Sequence, residues 1–371
     1  MQGSTQGFVP ERLDDRDQLT SGDPGGMLRA VAGSAAQVRT GHRAAVEAGI
    51  ERLRGRPRAV VVTGVGASAL AGDLMAAVVG NGAPLPIVTV RSYRLPGWVG
   101  ANDLVIAVSS SGNTEETLAA ATEAVRRGSE LLVVCAPGSP LEAVARQAGA
   151  LFVPVAASGQ PRANLWLLAM PLIAAADALG LTRTDTELVE NVARVLEDLA
   201  HRCRPASESF INPGKSLAME LAETVPMVWG SSELTAVAAR RLADQLAENA
   251  KYPALYGELP EVNHNQLVAL DGPLAERDIF ADTAGRTLRL VVMRDVDEHP
   301  QVTRRREASV RMAGERDVPV TELAPEGVHP LERVASLVAL GDFASAYLAL
   351  GYGIDPTPVR AITELKSRLS H

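Results

Sequence analysis

The stretch "LVIAVSSSGNTEET", residues 104–117, decides the fold. Five apolar residues in a row, with no polar alternation, suit a strand buried on both faces. Within the next nine residues come the hydroxyls of Ser109, Ser110, Ser111, Thr114 and Thr117, with Gly112 among them. A helical pattern then runs over 114–127. Strand, small-residue turn and helix in that order form the repeating unit of a parallel α/β sheet.

The same unit recurs in both directions along the chain. Apolar runs at 59–64, 86–90, 130–135 and 151–155 read as further strands, with helices at 68–79 and 140–148. "ANLWLLAMPLIAAADALG" (163–180) reads as an apolar helix buried between domains, interrupted by Pro171. A second cycle begins at 225–250, where an apolar strand, a small-residue turn and a long helix repeat the logic of 59–80. Strands at 287–293 and 318–323, a helix near 300–313, and helices at 330–350 and 357–369 complete it. The expected partition is a flexible tail over 1–20, a first α/β domain over 21–182, a connecting helix and crossover over 183–215, and a second domain with C-terminal helices over 216–371.

Composition narrows the function classes. The chain has 371 residues, 46% of them hydrophobic, and a net charge of −8. That size supports a large core, and the acidic balance speaks against nucleic acid or an anionic membrane as partner. The basic triplet Arg304–Arg305–Arg306 reads as a solvated helix face. Cys135 and Cys203 are the only cysteines, too few for a disulfide framework or a four-thiolate zinc site. The polar, acidic start has no apolar h-region of a signal peptide. No apolar run is read as approaching the ~20 residues of a membrane span, and the expected location is cytoplasmic.

Three segments carry chemistry. In "GVGASALAG" (64–72), Gly64, Gly66 and Ala69 fit a dinucleotide fingerprint. The next strand ends in Arg91 rather than an acid, which leaves an NADP reading open beside two others. In one, the glycines let backbone approach a ligand and Ser68 adds a hydroxyl; in the other, the turn binds nothing. In 108–117 the hydroxyls of Ser109, Ser111, Thr114 and Thr117, the backbone near Gly112 and a helix N-terminus suit a phosphomonoester. No Walker-type lysine accompanies them, which speaks against a nucleoside triphosphate. A capped, solvated helix start is the plainer alternative. In 247–270, Glu248 and His264 offer a carboxylate and an imidazole for proton transfer. No zinc-binding histidine spacing is present, and no cofactor is expected.

Taken together, "GVGASALAGDL", "SSSGNTEET", "GQPR" (159–162), "ENAKYPALYGELPEVNHN" (248–265) and "DPTPVRAITELK" (355–366) resemble the bifunctional phosphoglucose/phosphomannose isomerase family. The resemblance implies two SIS-type (sugar isomerase) domains, each a flavodoxin-like parallel sheet flanked by helices, plus C-terminal helices. It implies a metal-independent aldose–ketose isomerase acting on hexose 6-phosphates through a cis-enediolate. Ser68, Ser109, Ser111, Thr114 and Thr117 would surround the phosphate. Arg162 would stabilise developing charge, Glu248 would be the base, and His264 with Lys366 would open and close the ring. A homodimer is implied, with His264 reaching the neighbouring subunit's site. The chain departs from the family pattern at Ala67, Ser110, Ala247 and Gln266. The alternative function is a sugar-phosphate-binding regulator of the same fold that has lost turnover; it needs 109–117 but not Glu248.

Overall fold

The computed structural model describes residues 7–53, 55–156, 159–275 and 286–369. In chain order its elements are α1 (Arg16–Gly22), α2 (Met27–Ala32), α3 (Ser34–Glu47), β1 (Val60–Thr63), α4 (Ala67–Val79), β2 (Ile87–Val90) and β3 (Leu104–Ser109). Then follow α5 (Glu115–Arg126), β4 (Glu130–Cys135), α6 (Pro140–Ala148), β5 (Leu151–Pro154), α7 (Leu165–Ala178), α8 (Thr186–Arg202) and α9 (Pro213–Leu221). The chain ends with β6 (Thr224–Gly230), α10 (Glu233–Ala250), β7 (Leu255–Glu258), β8 (Thr287–Met293), α11 (Pro300–Gly314), β9 (Val320–Leu323), α12 (Pro330–Gly351) and α13 (Arg360–Leu369). Two compact units result: Ala32–Glu197, and Met1–Val31 together with Asp198–His371.

In the Ala32–Glu197 unit the sheet order is β2-β1-β3-β4-β5, all parallel. β1 and β3 are buried along their whole length because helices cover both faces. On one face Val61, Val105 and Val133 pack with Ala120, Ala121 and Ala124 of α5 and Leu141 of α6. On the other, Gly72 lets α4 close on β1; a Cβ there would lie 2.8 Å from the Val62 side chain. α7 is apolar on every side because α3 and α4 of the same unit pack on it. Gly41 of α3 sits where a Cβ would meet the Leu167 carbonyl at 3.0 Å. Its burial therefore arises within one domain, not between domains as the sequence suggested; α3, too weakly apolar to stand out, was the unread partner.

The second unit repeats the order as β7-β6-β8-β9, again parallel. Met227, Trp229, Leu290 and Val292 form its core with Val262, Leu270 and Ala313. β7, "LYGE", is too short and too polar to stand out in the sequence, and Leu255 and Tyr256 are exposed, as edge strands often are. α10 packs on α12 through a buried polar seam. Arg241 donates to both Asp342 oxygens at 2.8 and 2.9 Å, and Asn249 to Ser345 Oγ at 2.9 Å.

Two further readings are corrected here. α12 has 22 residues, and its most apolar 18-residue window has a mean hydropathy of 1.6, so it is long and apolar enough to cross a membrane, against the sequence reading. Its most apolar window is 94% buried inside the unit, which makes it a core helix. The second correction concerns residues 1–20. From Gly7 onward this segment is a strap on the second unit, not a loose tail. Phe8 donates its amide to Glu223 and sets its ring edge-on to Tyr352, and Leu13 is fully buried. Two apolar anchors in a polar stretch were enough to dock it. The boundary between units accordingly falls inside α8, and residues 21–31 side with the C-terminal part.

Lys215 of α9 fixes that strap. Its side chain is fully buried, 5.6 Å from the Tyr347 ring centroid, and Nζ donates to Asp14 Oδ1 at 3.3 Å, Pro205 O at 3.0 Å and Ser207 O at 2.7 Å. Burial pulls its pKa down while Asp14 opposes the shift. Replacing it by methionine strips the Pro205 and Ser207 carbonyls of the ammonium and leaves the Asp14 carboxylate with the Ser209 amide and hydroxyl as donors. Lys215→Met is expected to lose ~3–5 kcal/mol in urea unfolding, against ~1 kcal/mol for the solvent-facing change Arg202→Ala.

Candidate functional site

Strand order reverses between β1 and β3, and in parallel sheets ligands bind outside the carboxyl ends of strands at such a switch point. Gly64 and Gly66 follow β1, while Ser109, Ser111 and Gly112 follow β3. Gly64 has no room for a side chain; a Cβ would approach the Val108 carbonyl to 3.0 Å. Gly66 has φ +58° and ψ −131°, a conformation reserved for glycine. Gly112 has φ +68°, but a Cβ there would sit 2.0 Å from Ser139 Oγ. Close packing on the start of α6, rather than ligand approach alone, explains this glycine.

The helix starts at this switch point are chemically unusual. α4 begins at Gly66 and α5 at Thr114, and neither has a side-chain cap. Thr114 is a good capping residue, yet its hydroxyl lies 2.9 Å from Ser109 Oγ instead. Ser109 also accepts the Gly112 amide at 3.0 Å, and Ser111 accepts that of Asn113 at 3.2 Å. By contrast α6, α10 and α11 are capped by Ser139, Ser232 and His299. Two uncapped helix N-termini at one switch point leave amide donors and positive dipole ends facing the same place, as an anion requires.

Thr117, in the first turn of α5, is wholly buried and its hydroxyl has no partner among the described residues. The same holds for Thr63 at the end of β1, which sequence reasoning missed. Its signal was a hydroxyl closing the apolar run "VVVT". Ser68 lies in the first turn of α4 and is 7% exposed. Arg162 lies on a 3₁₀ turn after β5 and is 8% exposed. Arg91 forms an ion pair with Asp73 of α4, so its charge serves the fold and the NADP reading loses its one supporting residue.

The other unit holds Glu248, His264 and Lys366. Glu248 is half-buried in the last turn of α10, His264 is exposed on a 3₁₀ turn after β7, and Lys366 is exposed on α13. Gln266 is explained by its neighbours: Oε1 accepts the Trp229 indole N–H at 2.8 Å, and Nε2 donates to the Tyr256 carbonyl at 2.9 Å. A carboxylate could make only the first of these bonds.

This unit has its own switch point, between β6 and β8, and it is filled from within. Ser232 and Thr235 form a full capping box on α10, Ser232 donates to Asp295 at 2.7 Å, and Asp295 N donates to Ser231 Oγ at 2.8 Å. Arg333 pairs with Asp295 and Asp297, and Arg306 with Glu298. Burial raises the Glu298 pKa, but bonds from Ser231 and Arg306 outweigh it and hold the carboxyl below its usual range. Arg306 is thus turned inward, while Arg304 and Arg305 keep the solvated position expected of the triplet. With its amides taken and carboxylates beside it, this second switch point does not suit an anion.

Comparison with known proteins agrees with this architecture. Residues 55–167 match the SIS domain, and residues 210–369 match the bacterial phospho-glucose isomerase C-terminal SIS domain. The chain is 33% identical to the bifunctional phosphoglucose/phosphomannose isomerase of Caldicellulosiruptor bescii, over 84% of this chain and 89% of that one. It is 31% identical to the protein of the same name from Aquifex aeolicus, over 76% and 81%. The crystal structure of tagatose-6-phosphate ketose/aldose isomerase from Escherichia coli shares the fold, with a TM-score of 0.63 at 16% identity, covering 90% and 93%. Two parallel sheets of the SIS type, matched sequence models and these relatives lead to one conclusion: the chain belongs to the bifunctional phosphoglucose/phosphomannose isomerase family.

Proposed function

We propose that this chain is a sugar-phosphate isomerase that interconverts glucose 6-phosphate, mannose 6-phosphate and fructose 6-phosphate. The observation that carries the reading is the pair of uncapped helix N-termini, α4 and α5, at the β1/β3 switch point. Ser68, Ser109, Ser111, Thr114 and Thr117, with the backbone at Gly64, Gly66 and Gly112, hold the phosphate. Glu248 removes the proton from carbon 2 of the open-chain aldose and returns it to carbon 1, while the hydroxyl proton passes from oxygen 2 to oxygen 1. Arg162, nine-tenths buried, offsets the enediolate charge where water is scarce. His264 and Lys366 move protons in ring opening. Glucose and mannose 6-phosphates differ only at carbon 2, so one enediolate serves both. The chemistry needs no metal, and the cytoplasm, where hexose phosphates are made, suits it.

A coupled assay with fructose 6-phosphate tests this. Glu248→Gln is expected to lower kcat by ~10²-fold or more, as loss of a general base does, and EDTA to leave the wild-type rate unchanged. Binding of fructose 6-phosphate without turnover would instead make the chain a sugar-phosphate-binding regulator.

His264 is exposed on its own protomer, which supports a homodimer in which it serves the partner's site. Mixing inactive Glu248→Gln and His264→Asn protomers is then expected to restore about a quarter of wild-type activity, since half the dimers regain one intact site. If His264 acts beside Glu248 of its own chain, mixing restores nothing.

A further inference from the structure

Lys251 follows α10 with φ +56° and ψ +35°, the left-handed conformation that ordinarily goes to glycine after a helix. Its backbone already closes the helix, donating to the Leu246 carbonyl. A lysine in a glycine's place calls for a reason in its side chain. The three hydrogens of Nζ face four carbonyls, those of Glu248 and Asn249 both at 3.0 Å and those of Asp355 and Pro356 at 3.4 and 3.3 Å. The first two lie in the last turn of the helix that carries Glu248. The other two open the segment that leads into α13 and Lys366.

α13 has no buried residue of its own. Its place is therefore set by its lead-in, where Pro356 is buried, Thr357 donates its amide to Asp355, and Gly25 lies so near Thr357 that a Cβ would overlap it. The ammonium of Lys251 ties this lead-in to the end of α10, and a cation there also complements the negative end of the helix dipole. We infer that Lys251 is a positioning residue: it clamps residues 355–369 to the Glu248 end of α10 and so sets Lys366 for its part in the reaction. The catalytic half of this inference rests on the function proposed above.

Lys251→Gly separates clamp from cap, because glycine suits the backbone conformation while removing the ammonium; Lys251→Met removes the charge and keeps the bulk. In the full chain, Tm of Lys251→Gly is expected to stay near that of wild type. Trypsin cleavage after Arg360 is expected to speed up ~10-fold, as opening of the segment becomes easier. With glucose 6-phosphate, kcat is expected to fall ~10–100-fold with little change in KM, since small misplacements cost that much. Unchanged cleavage overturns the inference whatever the activity, and faster cleavage with unchanged kcat overturns the positioning role. If wild type itself shows no isomerase activity, the function reading fails, and cleavage alone decides whether Lys251 is a clamp.

Discussion

The proposed phosphate site depends on how helices begin where strand order reverses. A helix N-terminus exposes amides that need an acceptor, and most helices here obtain one from a serine, aspartate, asparagine or histidine side chain. α4 and α5 do not. Gly66 has no side chain to offer, and the Thr114 hydroxyl is drawn to Ser109. The missing cap costs about a few tenths of a kcal/mol at Gly66 and up to ~1 kcal/mol at Thr114, and the buried, unpartnered hydroxyl of Thr117 adds to that cost. In the proposed function a phosphate, with its three acceptor oxygens, would offset these costs.

The two sheets give an internal control. Both have the same strand order, both have a switch point, and in both a glycine ends the first strand of the pair or follows it directly. In the second unit, however, a capping box takes the amides, and Asp295 with Glu298 puts negative charge beside them. The sheet architecture occurs twice, and helix starts left uncapped at the switch point occur once. In the second unit the buried Arg241–Asp342 bridge and Asn249–Ser345 bond tie α12 to the helix that bears Glu248.

Much of this was legible in the sequence, for physical reasons. Uninterrupted apolar runs announce strands covered on both faces, so β1, β3, β4 and β8 could be read directly. Hydroxyl density after 108 marked the switch point before any topology was known. Other features were hidden because their signal lies in tertiary contacts. β7 is an edge strand with polar residues, α3 earns its place only by covering α7, and the strap at 7–22 is held by Phe8, Leu13 and the Lys215–Asp14 pair. α12 misled in the opposite sense: its sequence passes for a membrane span, and only its surroundings reveal a core helix. At the site, residue types were readable but purposes were not. Gly112 answers to Ser139, Gln266 to Trp229 and Tyr256, and Arg91 to Asp73.

The central claim is that the sugar phosphate is held at the β1/β3 switch point and nowhere equivalent in the second unit. Calorimetric titration of fructose 6-phosphate into wild type, Ser109→Ala and Ser232→Ala tests it most directly. The account predicts one site per chain, an affinity ~10-fold weaker in Ser109→Ala, where about 1.4 kcal/mol of hydrogen bonding is lost, and an unchanged affinity in Ser232→Ala. Two sites per chain, or binding lost in Ser232→Ala and kept in Ser109→Ala, would contradict it.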